Sequence, residues 1–182
     1  MPLLDCDLTR SVQALVRPPS CLKKVYVSSL AISRLSDIDG VADTDGQISA
    51  FTMGAGVSFV PVDVGRRQAK ISWEYTSETG LYSTQLEIDL GGFDHDNRQA
   101  LLMMQGFCDL VVYASLSDCN RMILGMDNID GAWDIFDENT LSGHSASLGG
   151  DEDGSNIITF TFNTLSSPEI VHSTFTIPPP LS

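Results

Sequence analysis

Three features of the sequence predict a mainly β protein, an antiparallel sandwich or barrel carrying one packed helix and a long hairpin. Short runs rich in Val, Ile, Thr, Tyr and Phe recur along the chain between clusters of Gly, Asp, Asn and Ser. Helical spacing is convincing in one stretch only. Two long alternating runs flank a tight Ser-Glu-Thr-Gly connection. With 182 residues, 42% hydrophobic and 19% charged, the chain can bury the core of one ordinary domain.

The strand-like runs are Leu22 to Ser28, Gln47 to Met53, Val57 to Val62, Ala69 to Thr76, Tyr82 to Leu90, Phe107 to Ser115, Arg121 to Met126 and Asn156 to Asn163. The helix is expected from Asp94 to Gln105, with Asp94 as N-cap, Ala100, Leu101 and Met104 on one face, and Gly106 as its stop. It should cover a sheet face, which leaves His95 in its first turn facing solvent.

The hairpin is the most informative element. In its first strand Ile71, Trp73 and Tyr75 share one face, while Lys70, Ser72, Glu74 and Thr76 share the other. In its second strand Tyr82, Leu86, Ile88 and Leu90 alternate with Ser83, Gln85, Glu87 and Asp89, and Thr84 is the one polar break in the apolar set. Such a hairpin can simply present its polar face to solvent. It can also pair edge to edge with neighbouring copies, closing a ring in which Lys70, Glu74, Thr76, Gln85, Glu87 and Asp89 line a lumen.

The domain is expected over residues 21–176. Residues 1–20 form an arm, because Arg17-Pro18-Pro19 interrupts regular structure. Residues 177–182 carry Pro178-Pro179-Pro180, a short polyproline stub. Neither a secretory leader nor an apolar run of about 20 residues is present, so a soluble protein without a membrane partner is expected.

Lys and Arg total 10 against 24 Asp and Glu, a formal charge of -14. A nucleic acid meets net repulsion, which excludes tight DNA binding but suits the wall of a conduit through which a polyanion passes. The four cysteines, Cys6, Cys21, Cys108 and Cys119, form no CxxC pair and read as reduced thiols. A bridge between Cys108 and Cys119 across neighbouring strands stays open for a particle that matures outside a cell.

No constellation for catalysis, metal or cofactor emerges. Around Gly46 an EF-hand register puts Val41 and Thr52 at ligand positions, and around Gly154 it puts Gly149 and Phe160 there. Asp37 to Gly40, Asp43 to Gly46 and Asp151 to Gly154 therefore read as turns. His95, His144 and His172 lie in no nucleophile or zinc motif, and Ser142-Gly143-His144-Ser145 reads as a polar turn with a surface histidine. Gly54-Ala55-Gly56 lacks the strand-to-helix setting of a phosphate loop. Trp73, Trp133 and Tyr113 would stack on a sugar if exposed, but are expected in the core.

The order of these elements, an arm, strands, a long hairpin from Arg66 to Leu90, a helix from Asp94 and a closing set of strands, resembles the tail-tube fold of tailed bacteriophages and related injection machines. Ser20 to Val27, Asn120 to Gly125, Asn128 to Gly131, Leu141 to Gly143 and Ile157 to Phe162 are similar to segments of structural proteins from crAss-like and other Bacteroidota-infecting phages. The resemblance spans Ser20 to Val171, although Arg17-Pro18-Pro19-Ser20 stands where those relatives carry a glycine-rich lead-in. It implies a virion protein made in the host bacterial cytoplasm. Its partners would be copies of itself in a hexamer or larger ring and other tail or connector proteins, with DNA only as passing cargo. A capsid decoration or baseplate subunit and a carbohydrate-binding sandwich are the alternative expectations.

Overall fold

A computed structural model describes residues 27–44, 46–62, 68–90, 99, 102, 104–117, 120–135, 140–147, 155–171 and 175. Thirteen strands account for most of them: β1 (Val27–Arg34), β2 (Ile38–Thr44), β3 (Gln47–Met53), β4 (Val60–Val62), β5 (Ala69–Thr76), β6 (Leu81–Asp89), β7 (Leu110–Leu116), β8 (Arg121–Leu124), β9 (Asp127–Ile129), β10 (Ala132–Asp134), β11 (Thr140–Ser147), β12 (Ser155–Thr164) and β13 (Glu169–Ile170). All their pairings are antiparallel. One sheet has five strands in the order β13-β8-β7-β1-β4, a second has four in the order β11-β12-β6-β5, and β2–β3 and β9–β10 are separate hairpins.

Period-two patterning decides what faces what. Along β12 the even positions Asn156, Ile158, Phe160, Phe162 and Thr164 are buried, while the odd ones are half-buried. Ile158, Phe160 and Phe162 join Leu86 and Ile88 of β6 and Ala69 of β5 in one core cluster with Leu30, Ile32, Leu110, Val112, Ala114 and Leu124 of the five-stranded sheet. The two sheets therefore share one core, to which each fully buried Leu, Ile or Phe contributes about 1.5–3 kcal/mol.

Strand β7 has apolar partners on both sides. Leu110, Val112 and Ala114 enter that first core, while Val111 and Tyr113 enter a second with Ile48 and Phe51 of β3, Phe59, Met126, Val171 and Phe175. This is why Leu110 to Ala114 reads as an unbroken apolar run rather than an alternating one. Aromatic contacts close the second core, with Tyr113 stacked on Phe175 at 5.2 Å and Phe51 edge-on to Phe175 at 5.5 Å. The Arg121 guanidinium donates to the Phe175 carbonyl at 2.8 Å and fixes that segment. Burial pushes the Tyr113 hydroxyl pKa up, with the Arg121 charge opposing.

The turns follow side-chain chemistry. At the β2–β3 connection Gly46 takes φ +75° and donates its N–H to the Asp43 carboxylate at 2.9 Å. Between β9 and β10, Asp130 and Gly131 both have positive φ, the type I′ geometry that suits a two-residue hairpin. The expectation of a turn at Asp37 to Gly40 needs correcting. A 3-10 turn ends at Asp37, and Asp39 and Gly40 lie inside β2, where the pairing with β3 shifts register.

The predicted hairpin strands are found within a residue of their expected ends. The first strand does not stop at Ser28: β1 runs on to Arg34, because Leu30 and Ile32 have a second sheet to face. Strand β11 replaces the expected polar turn at Ser142 to Ser145, with His144 exposed on it and its Nε2 2.8 Å from Asn156 Oδ1. Of the expected helix, Gln99, Leu102 and Met104 are described and helical, and Met104 packs on the first core. Asp94, His95 and most of that helix lie outside the described residues, as do residues 1–20, residues 177–182 and Asp151 to Gly154. Among the described residues no helix is long and apolar enough to cross a membrane.

Candidate functional site

The hairpin β5–β6 is held in register from Ala69↔Ile88 to Thr76↔Leu81. Its four-residue loop closes through the Gly80 N–H donating to the Thr76 carbonyl at 2.9 Å, with Gly80 at φ +73°. The Thr79 hydroxyl donates to the same carbonyl at 3.3 Å and accepts the Leu81 N–H at 3.3 Å. The loop is thus fixed by its own sequence.

Register places all six candidate residues on the face turned away from the core. Lys70 lies opposite Glu87, Ser72 opposite Gln85, and Glu74 opposite Ser83, with Thr76 at the tip. Strand β12 extends this face through Thr159, Thr161 and Asn163, and Ser142 of β11 joins it by accepting the Thr161 hydroxyl proton at 2.8 Å. Lys70 and Glu87 stand 3.6 Å apart, an exposed pair that adds little stability. Asp89, at the base, also accepts a long 3.4 Å contact from the Asn156 N–H. Ser72, Glu74, Ser83 and Gln85, together with Trp73 between Ser72 and Glu74 in the strand, line a shallow depression. The face is broad, rich in hydroxyls and mildly acidic.

The opposite face departs from expectation. Near the base Ala69, Ile71, Leu86 and Ile88 are core or packed on it, but toward the tip the apolar set outruns the core. Trp73 is 49% exposed and Tyr75 57%, and Tyr75 lies 5.2 Å from Tyr82 across the strands. Trp73 is therefore not a core aromatic, whereas Tyr113 is buried and Trp133 packs against the second core. Thr84, the polar break in the apolar set, pairs with Trp73 and is itself buried.

The backbone of β5 forms a second surface. β5 and β11 are the two edges of the four-stranded sheet, each eight residues long and free of proline. No strand among the described residues pairs with their outer sides. In the five-stranded sheet the edges are blunted, since β4 has three residues including Pro61 and β13 has two.

Elsewhere, polar groups secure structure. Asp127, 1% exposed, accepts the N–H groups of Leu165 and Ser166 at 2.8 and 3.2 Å and the Ser166 hydroxyl at 2.8 Å, pinning the exit of β12. Arg34 Nε donates to Asp109 at 2.9 Å, and its guanidinium lies 4.6 Å from the Phe107 ring centre. Desolvation pushes the Asp109 carboxyl up, but its hydrogen bonds from Arg34 and Ser36 and the Arg34 charge outweigh that and hold it below the usual carboxylate range. None of these contacts was legible in sequence, because their partners stand dozens of residues apart.

Cys108 is a free, exposed thiol. The bridge considered between Cys108 and Cys119 involves a residue outside the described ones. Cys6, Cys21 and Cys119 lie outside the described residues. Among the described residues no three His, Cys, Asp or Glu side chains gather as a metal site, and His144 and Cys108 precede or lie on strands of different sheets.

The fold and this hairpin define a mainly antiparallel β protein in which, among the described residues, the four-stranded sheet ends in two long unpaired edges. Comparison with protein families, with curated proteins and with solved structures finds no match to the chain.

Proposed function

We propose that this chain is a non-enzymatic, ring-forming structural subunit of a tailed-phage tail tube or of a tail or neck ring enclosing the DNA channel, built on a β-sandwich whose β5–β6 hairpin is the assembly element. The observation that carries the reading is the contrast in edges. One sheet ends in short or proline-bearing strands, and the other ends in two eight-residue strands without proline. Long open edges are templates for strand pairing.

The sheet order also supports one form of junction. Strand direction alternates through β11, β12, β6 and β5, so β5 and β11 run opposite ways. In copies related by rotation about an axis along the strands, β5 of one copy meets β11 of the next antiparallel, and the sheet continues without a break. The core face is already committed to the five-stranded sheet, so the face with Lys70, Glu74, Gln85 and Glu87 lines the lumen. A hydroxyl-rich, mildly acidic wall on a chain of charge -14 wets DNA without gripping it. The family-like segments named above support a virion setting.

Hydrogen exchange before and after assembly tests the junction. Assembly is expected to slow exchange of the outward amides of β5 and β11 at alternate positions relative to isolated copies. Protection that spares both strands would overturn the proposal.

The exposed Trp73 and Tyr75, with the half-buried Tyr82 beside them, favour one competing reading, a carbohydrate-binding module. Sugars, however, need directional polar partners beside the stacking ring. The charged and amide side chains of these strands all lie on the opposite face.

A further inference from the structure

Toward the hairpin tip, the exposed Trp73 and Tyr75 stand on β5, an outer strand of the four-stranded sheet. Hydrogen bonding shows where their backbone points. The Asp89 N–H donates at 2.7 Å to the carbonyl of Gln68, its opposite residue in the ladder, so every second residue from Gln68 bonds inward to β6. Ala69, Ile71, Trp73 and Tyr75 therefore turn their N–H and C=O groups outward. The Leu90 N–H donating to the Asn156 carbonyl at 2.9 Å carries the same alternation across β6 and β12. It turns the backbone of His144 and Ala146 to the outer side of β11.

Both outward sets lie on the core face, since Ala69 and Ile71 meet the first core and His144 and Ala146 pair with the buried Ile158 and Asn156. The two faces thus match across a β5–β11 junction, and the allowed registers differ in steps of two residues. Within one copy His144 is level with Ala69, through Ile158 and Ile88. Pairing Trp73 with His144 of the next copy raises that copy by four residues, about 13 Å over about 19 Å of sheet. The strands then tilt by about 35°, in the range of closed barrels. One step less, Ile71 with His144, gives about 19° and leaves Tyr75 uncovered. One step more carries Thr140 to Ser142 past the end of β5.

Hand and charge agree with the same register. Seen from the core side with β5 running upward, the outward N–H and C=O of Trp73 lie to the right for an L-residue, so the next copy stands to the right and higher. The strands then wind right-handed about the ring axis, as their twist requires. Residues 140–147 contain no Lys, Arg, Asp or Glu, so β11 meets Lys70 and Glu74 without like charge although each copy carries -14. The exposed His144 ring is already held by its Nε2, 2.8 Å from Asn156 Oδ1, and loses little freedom when an indole packs on it.

We infer that the aromatic face of the hairpin tip is the seat for β11 of a second copy, with Trp73 against His144 of that copy and Tyr75 beside the bulge that follows Leu141. The inference rests on the ring proposed above and fixes its register. Ser72 then faces Ser145 of the next copy in a non-hydrogen-bonded pair, the closest cross-strand geometry. Within one copy the two are three strands apart, about 14 Å, too far for a disulfide.

The test oxidises the full chain carrying S72C/S145C at high concentration, beside K70C/S145C and E74C/S145C, which fit the registers one step lower and higher. Mass spectrometry of the digests identifies the bridges, and negative-stain images of the reduced proteins report annular particles independently. A bridge between positions 72 and 145 that links copies into a ladder of multimers is expected, at most weakly matched by the other two pairs. W73A should raise the concentration at which copies associate at least about tenfold. Annular particles whose bridge forms from position 70 or 74 instead, or from none of the three, would keep the ring and overturn the register, as would unchanged association of W73A. The expected bridge without annular particles would keep the contact and remove the ring. Neither bridges nor particles would overturn both.

Discussion

Replacing Thr84 with valine should stabilise the protein. Thr84 is 1% exposed, faces the core side of β6 between Phe162 and Trp73 in register, and its hydroxyl has no hydrogen-bond partner among the described residues. An unpaired buried hydroxyl costs about 1–3 kcal/mol in proteins. Valine keeps the shape and the β-branching while removing that cost, so a gain of about 1–2 kcal/mol is expected after imperfect fit is discounted. For a chain of this size that corresponds to a rise in Tm of roughly 2–8 °C. Urea unfolding followed by fluorescence and circular dichroism should show a higher midpoint at unchanged slope. A lower midpoint for T84V would refute the reasoning, because it would mean that the hydroxyl makes a bond worth more than its burial costs.

Three other outcomes follow from the same geometry. D127A removes the acceptor for two backbone N–H groups and one hydroxyl, and should cost about 2–4 kcal/mol by chemical denaturation; D127N, which keeps one carbonyl acceptor, should cost less. Asp109 has a folded-state pKa below its unfolded value, so its contribution is present above about pH 4 and lost as pH falls through the folded value. Acid titration of D109N should therefore show a flatter loss of stability below pH 4 than the wild type, and an identical acid limb would count against the Arg34 contact. E74K/E87K reverses the sign of the polar face at positions away from the core, and should create DNA binding that weakens steeply with salt where the wild type shows none.

Much of the fold was legible because it rests on local alternation. β3 and β5 begin and end where their patterns do. Strand β11 was hidden by its composition: Ser142, Gly143, His144, Ser145 and Ala146 have little intrinsic strand preference and are ordered by pairing with β12. The 3-residue strands β9 and β10 are too short to show a period, and their hairpin is specified by Asp130-Gly131 alone. Of the candidate site, the polar face could be read residue by residue, because the period of two assigns faces without knowledge of neighbours. The exposure of Trp73 and Tyr75 could not, since it depends on how far the opposing five-stranded sheet extends. Which strands end as open edges is likewise a property of sheet order, settled by pairings such as β12 with β6 that join distant parts of the chain.

The central claim is that this chain closes into rings through its four-stranded sheet. Negative-stain imaging of the purified protein at high concentration, with its mass in solution measured in parallel, tests that most directly. The account predicts annular particles or stacked tubes with a central channel and a mass of several copies. A strict monomer at every concentration and salt, also when mixed with assembling tail components, would contradict it.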